Sequence, residues 1–335
     1  MTIRLFTLLL TLLSVSFCFA TASPKKGFEI QHIAPPSWWT GMKNSNLQIM
    51  IHAENVAAAE ISIESDLAEL RVVNRVENPN YVFLDVVIAK QGKGSFDIDF
   101  RFKNKKFSHT YKLHDRIFAS DKIQGLDPSD LIYLIMPDRF ANGDQNNDII
   151  PTMQETTINR DSIYWRHGGD LQGITNHLEY LQDLGVTALW LNPVQTNDQP
   201  QWSYHGYAVT DHYEIDPRLG TNQDYLKLVD RCHDRGMKVV MDIIHNHVGD
   251  QHWFIKDLPM KDWVHQHDEF TRTTYRAPTV MDPHASEYDR KLMLEGWFDN
   301  HMPDLNQDNE FLGNYLIQNN IWWIEYSGID GFRMD

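Results

Sequence analysis

Between about residues 27 and 115 the chain runs in short stretches of alternating or β-branched character. Residues 47–51, 59–63, 81–88 and 96–102 carry this pattern, and turn residues such as Asn78-Pro79-Asn80 and Gln91-Gly92-Lys93-Gly94 divide them. Strands this short, at this spacing, predict an antiparallel β-sandwich of immunoglobulin-like type. A domain of that kind serves carbohydrate binding or dimerisation, or acts as a passive spacer, and the pattern does not choose among these.

The pattern changes at Asp130. Residues 131–136 form a continuous apolar run, as expected of a strand buried on both faces. A unit of helix, glycine and buried strand then recurs three times. In the first, Ile174, Leu178, Leu181 and Leu184 fall on one face of a helix over 171–184, Gly185 ends it, and a strand over 186–191 follows. In the second, Thr221 with Asp224 resembles a capping box. Tyr225, Leu228, Val229 and Cys232 form its apolar stripe, and a strand over 237–244 follows Gly236. The third has a helix over 309–326, Gly328 as its stop, and a strand over 329–335. Such repetition in one direction means βα units on a parallel sheet, either doubly wound or a (β/α)8 TIM barrel. Polar and ionisable residues gather at the C-terminal strand ends: Asp138-Arg139, Asn192, Asp242 to His247, then Arg333 and Asp335. That clustering favours the barrel, whose active sites occupy this face. The expected organisation is a leader over 1–22, a β-sandwich over 23–117, and the first half of a barrel over 118–335. A loop insertion over about 248–307 follows the third barrel strand.

Composition narrows the function. The 335 residues hold 46 Asp+Glu against 30 Lys+Arg, a formal net charge of −16. A surface this acidic repels phosphate backbones and anionic lipid, so nucleic acid is excluded as a partner. Arg4, an apolar run over 5–20 and the small residues Ala20-Thr21-Ala22 read as a secretory signal peptide. The expected location is therefore periplasmic or secreted. With the leader removed only Cys232 remains, so no intramolecular disulfide can form and the core or a metal must hold the fold.

Two clusters carry candidate chemistry. Period-two geometry puts Arg333 and Asp335 on one face of the last strand. A guanidinium there favours an ionised carboxylate, as a nucleophile requires. The alternative for an isolated Arg-x-Asp is an internal ion pair. The run from Asp138 to Asp148 is dense in Asn, Asp and Gly, which ordinarily make turns but also supply the six to eight oxygen ligands that calcium takes.

Four motifs stand in register: Tyr204-His205-Gly206-Tyr207, Asp242-Ile243-Ile244-His245-Asn246-His247, Met302-Pro303-Asp304-Leu305-Asn306 and Gly331-Phe332-Arg333-Met334-Asp335. Together they resemble the α-amylase family of glycoside hydrolases (family 13). Met-Pro-Asp-Leu-Asn is similar to the Met-Pro-Lys-Leu-Asn of its cyclomaltodextrinase and neopullulanase branch, and residues 35–42 resemble the start of that branch's N-terminal β domain. The resemblance implies a retaining hydrolase of α-1,4-glucans such as cyclodextrins, pullulan or maltooligosaccharides. It implies that Asp335 is the nucleophile, that Arg333 holds it ionised and oriented, and that His247 and Tyr207 line the subsite of the attacked sugar. His205 would assist and Asp242 would hold its strand end together. It also implies Ca2+ as cofactor, bound by Asn142, Asp144, Asn147, Asp148, the carbonyl of Gly168, and Asp170. An α-glucan is the expected partner, and the N-terminal domain leaves room for a homo-oligomer. Trp202, Trp253, Trp263 and Trp297 lie in loops and are candidates for sugar stacking, with core packing as the alternative.

Two other readings compete. His245-Asn246-His247 is an H-x-H like that of metal-dependent amidohydrolases, which carry it on the first strand rather than the third. The second reading rests on length. Four barrel strands are visible where a closed barrel has eight, and the resemblance places the general-acid Glu on the fifth strand and a further sugar-binding Asp on the seventh. The expectation is a truncated chain that lacks the general acid and retains at most glycan binding.

Overall fold

The computed structural model describes residues 28–116 and 123–335. The leader expected over 1–22 and the domain boundary expected at 117/118 lie outside the described residues. Eight strands build the N-terminal domain: β1 (His32–Ala34), β2 (Ser37–Trp39), β3 (Asn46–His52), β4 (Glu60–Ile63), β5 (Ala68–Arg75), β6 (Tyr81–Ile88), β7 (Gly94–Phe102) and β8 (Lys105–His114). They form two four-stranded sheets, in the orders β1-β3-β6-β5 and β2-β8-β7-β4. All pairings are antiparallel except β2 with β8. Ile49, Ile51, Phe96, Ile98, Phe100 and Tyr111 are buried in this sandwich. β3 and β6 depart from alternation and are buried nearly throughout. Their second face is covered by the other domain.

That domain is built on four parallel strands: β9 (Ile132–Ile135), β10 (Ala188–Leu191), β13 (Lys238–Ile243) and β14 (Gly331–Met334), in the order β14-β13-β10-β9. Between β10 and β13, β11 (Gln195–Thr196) and β12 (Asp211–Ile215) pair as a ribbon. The helices are α1 (Pro137–Phe140), α2 (Leu171–Asn176), α3 (Leu178–Asp183), α4 (Asn222–His233), α5 (Trp253–Lys256), α6 (Pro278–Met281), α7 (Glu287–Glu295) and α8 (Glu310–Ser327). The fold is a β-sandwich followed by a partial (β/α)8 barrel, and α5, α6 and α7 all lie in the insertion after β13. Among the described residues no helix is long and apolar enough to cross a membrane.

Local chemistry explains the helix limits. Thr221 and Asp224 form the reciprocal capping box that starts α4. Asn309 accepts from the N–H groups of Phe311 and Leu312 to start α8, and Gly328, at φ +72°, ends it. Three expectations need correction. The helix expected over 171–184 is broken at His177, whose ring Nδ1 bonds the Gly173 carbonyl and takes an acceptor from the helical ladder. Leu184, expected on the buried stripe, is half exposed. β9 is not buried on both faces: Ile132 and Leu134 are 46% and 51% exposed. It is an edge strand, and the face these residues share with Trp190 stands open among the described residues.

α8 joins the two domains. Gln318 Nε2 donates to the Gln48 carbonyl and its Oε1 accepts from the Gln48 N–H, both at 2.8 Å. The Gln48 side chain donates to the Phe311 carbonyl at 2.9 Å. Phe83 packs on Phe311 and Trp263, and Trp39 packs edge-on to Trp322. Asp257, in the insertion, accepts from Asn78 and Asn80 and pairs with His52. Arg116 pairs with Glu325 at 2.6 Å.

Candidate functional site

The C-terminal ends of β10, β13 and β14 converge on one carboxylate. Register sets Asp242 beside Arg333 across β13 and β14, and period two turns both toward the open face of the sheet. Asp242 is fully buried. It accepts from Trp190 Nε1 at 2.9 Å and Tyr207 OH at 3.0 Å, and from Arg333 Nη1 at 3.1 Å to Oδ1. Burial pushes its carboxyl above the ordinary carboxylate range, against the pull of those three donors. The same Arg333 Nη1 reaches Asp335 Oδ1 at 2.6 Å, so one guanidinium bridges the two carboxylates. Its plane lies over the Trp190 ring, 5.2 Å from the centroid.

Tyr207 is presented by a tight turn. Ser203–His205 forms a single 3-10 turn between Trp202 and Gly206, which have φ +61° and +84°. A Cβ on Gly206 would fall 2.1 Å from the Pro193 carbonyl oxygen, so only glycine fits there. His205 Nδ1 accepts from the Tyr207 N–H at 2.9 Å, which places the proton of a neutral ring on Nε2. His247 faces the Tyr207 carbonyl through Nε2 at 3.1 Å, and that nitrogen must donate. Burial depresses both rings, His205 and His247, to about 4, so both are neutral at pH 7. The outer face of His247 is stacked on Phe298, with centroids 4.9 Å apart. Asp304 takes Asn246 Nδ2 at 3.1 Å and His265 Nδ1 at 2.7 Å, fixing the insertion against the end of β13.

The six residues expected at a metal divide into two groups. Asn142, Asn147, Asp148 and Gly168 form an oxygen-rich cradle. Asn142 Nδ2 donates to Asp148 Oδ1 at 2.6 Å, while Asn142 Oδ1 and Asn147 Oδ1 are buried without a hydrogen-bond partner. Gly168, at φ +84°, lets the backbone pass where a Cβ would fall 2.7 Å from Asp148 Oδ1. Buried amide oxygens with nothing to accept suit a hard cation. Asp144 and Asp170 are engaged locally. Asp144 Oδ1 accepts from the backbone and side chain of Asn146. Asp170 caps α2, accepting from the Gly143, Asp144 and Gly173 N–H groups. Among the described residues no group of three or more His, Cys, Asp and Glu gathers as a metal cluster. His245 turns to Asn320 at 3.1 Å while His247 turns to Tyr207, so the H-x-H pair does not share a target.

Structure also sorts the tryptophans. Trp263 is fully buried core, and Trp253 stacks on His32 at the domain interface, 4.2 Å between centroids. Trp297 donates to the His265 carbonyl. Trp202 stays 42% exposed beside His301. Two site residues escaped the sequence reading. Trp190 sits in an apolar strand and reads as core there, although it stands two residues before the polar strand end at Asn192. Phe298 lies in an insertion without periodicity, and nothing local marks it.

Residues 134–335 match the family model for the α-amylase catalytic domain, and residues 32–117 match the N-terminal domain of cyclomaltodextrinase. The chain is 35% identical over 219 residues to neopullulanase 2 of Thermoactinomyces vulgaris, covering 61% of this chain and 33% of that protein. It is 34% identical over 210 residues to the cyclomaltodextrinase of Thermoanaerobacter pseudethanolicus, covering 61% and 34%. The crystal structure of an Anoxybacillus α-amylase superposes with a TM-score of 0.52 at 35% identity, over 62% of this chain and 40% of that one. The chain thus spans about a third of the length of these two curated relatives.

Proposed function

This chain belongs to the α-amylase family, and on that premise we propose that its open sheet face binds α-1,4-glucans and carries the nucleophile of a retaining glycosidase. The observation that carries this reading is the shared guanidinium: Arg333 holds Asp335 by Oδ1 while Asp242, itself held by Trp190 and Tyr207, holds Arg333. A nucleophilic carboxylate must be fixed in direction yet keep one oxygen for attack on the anomeric carbon. With Oδ1 on Arg333, Oδ2 is the oxygen that would attack. Tyr207 offers its ring as a platform for the sugar, and neutral His247, whose one N–H goes to the Tyr207 carbonyl, braces that residue without competing for the nucleophile's charge. Retention also requires a carboxylic acid on the far side of the bond; by the family resemblance that group would stand on a fifth barrel strand, and sugar binding is the property to test on these four. Cyclodextrins, pullulan and maltooligosaccharides are the proposed ligands. A leader over 1–22 would direct the protein to the periplasm or outside the cell.

Titration of the chain with maltohexaose or a cyclodextrin in a calorimeter should give saturable binding. Tyr207→Ala should weaken it about tenfold, the equivalent of about 1.4 kcal/mol. No binding at millimolar sugar, or equal affinity of the variant, would falsify this reading.

The cradle of Asn142, Asn147, Asp148 and Gly168 is proposed to hold Ca2+, with Asp144 and Asp170 shaping the loop around it. When bound, the ion supplies the positive charge that two unpartnered amide oxygens and a carboxylate need. At calcium a hundredfold above its dissociation constant the gain is about 2.7 kcal/mol. Chelator should therefore lower the melting temperature by about 5–10 °C, and an unchanged melt would remove calcium from the account.

A further inference from the structure

The turn that presents Tyr207 is fastened from behind by the segment leaving the 142–148 loop. Gln154 donates to Asp198 twice, from N to Oδ1 at 2.8 Å and from Nε2 to the carbonyl at 2.7 Å. Glu155 Oε2 accepts from both the N–H and the hydroxyl of Ser203, at 3.0 and 2.6 Å. Glu155 and Ser203 are buried. Behind them Arg218 binds Asp216 through Nε and Nη2 and donates to the Asn197 carbonyl at 2.7 Å, while its Nη1 reaches the Glu155 carbonyl at 3.4 Å. On the loop side, buried Arg166 donates to the Asp148 carbonyl at 3.1 Å and lies 3.8 Å from Asp138. The Asp138 carboxylate in turn accepts from the N–H groups of His167 and Gly168. A single turn between two left-handed residues has no helical ladder of its own, so its position depends on such anchors.

We propose that Glu155 is a positioning residue: through Ser203 it sets the turn that carries His205 and Tyr207, and it links that turn to cation occupancy of the 142–148 loop. The inference rests on the calcium reading for its second half only. A buried carboxylate is a costly way to fix a loop unless the loop's position matters to what it carries. Glu155 is seven residues from Asp148 along the chain, and Arg166 closes the same segment from the other end. A shift of the Asp148 carbonyl on cation binding would therefore pass along the short segment 149–154 to Glu155, whose carboxylate holds Ser203.

Amide hydrogen exchange of the full chain, with CaCl2 or with chelator, tests this. In the wild type, calcium should slow exchange at Ser203 and Tyr207 severalfold. In Glu155→Ala these two amides should exchange fast and no longer respond to calcium, while amides in α4 keep their protection. Glu155→Gln retains an acceptor oxygen and should restore the wild-type pattern, which a general loss of stability would not predict. Calcium-dependent protection at Ser203 that survives Glu155→Ala, or a calcium effect confined to residues 142–170 of the wild type, would overturn the link. If calorimetry shows that the wild type binds no calcium, the calcium reading fails. Positioning is then decided by Ser203 exchange in the Ala and Gln variants: faster in Ala alone supports it, and equal rates overturn it.

Discussion

Arg218→Met should lower the free energy of unfolding by about 3–5 kcal/mol, the range for removing one partner of a buried ion pair. Arg218 and Asp216 are almost wholly inaccessible and bonded through two parallel contacts at 2.9 and 2.7 Å. Burial alone would push the Asp216 carboxyl up; the guanidinium beside it holds it below the ordinary range instead. Methionine fills similar space but leaves that carboxylate without a counter-charge and frees the Asn197 carbonyl, which Arg218 Nη2 also binds. Arg218→Lys keeps the charge and loses the fork, so its cost should be smaller. Urea denaturation of the two variants measures both effects. A loss below about 1 kcal/mol in Arg218→Met would show that the pair is no more than a surface-type bridge.

Acidification from pH 6.5 toward pH 4 should destabilise the protein steeply. Burial depresses His247 to about 4 and His212 to about 3, and burial together with His212 and His32 carries His252 far below its ordinary value. In this window the unfolded chain takes up protons that these rings refuse in the folded state. Stability is thus full above 6.5 and is lost as pH falls through the window, at about 1.4 kcal/mol per unit for each ring. His212 and His252 cannot both be charged, since Nδ1 of one lies 3.1 Å from Nε2 of the other. Asp211 acts in the opposite direction: burial raises it to about 6, so it contributes stability on acidification. His233 and His265, raised by Asp330 and Asp304, likewise favour the folded state below 6.5. Those two are partly exposed, and solvent discounts them. The buried rings should dominate, and melts at pH 7 and pH 4.5 should differ by many degrees; equal melts would mean that the rings are hydrated in the folded state.

Much of this architecture is legible in the chain because its signals are local. Strand β6 coincides with the stretch expected over 81–88, Thr221 and Asp224 make the expected capping box, and Gly328 ends α8. Strands β5 and β8 escaped for a physical reason. β5 bulges between Leu70 and Val72, which breaks its alternation. In β8 only Tyr111 and Leu113 are buried among lysines, serine and threonine. The expected pairing of Arg333 with Asp335 holds because it depends on two residues of one strand. The ties of Trp190 to Asp242 and of Glu155 to Ser203 span 52 and 48 residues. Bonds of that range come from the packing of elements, and no spacing along the chain announces them.

The reciprocal amide pair of Gln48 and Gln318 bears on how such proteins can be recombined. Gln318 treats the backbone of β3 as a neighbouring strand would, taking its N–H and feeding its carbonyl. Cutting between the domains would strand that amide and bare Trp39, Phe83, Phe311 and Trp322 at once. The sandwich is therefore not an interchangeable cassette. A chimera that borrows it from a relative has to borrow the facing side of α8 as well. Because α8 runs straight into β14, the borrowed surface would sit only a few residues from Arg333.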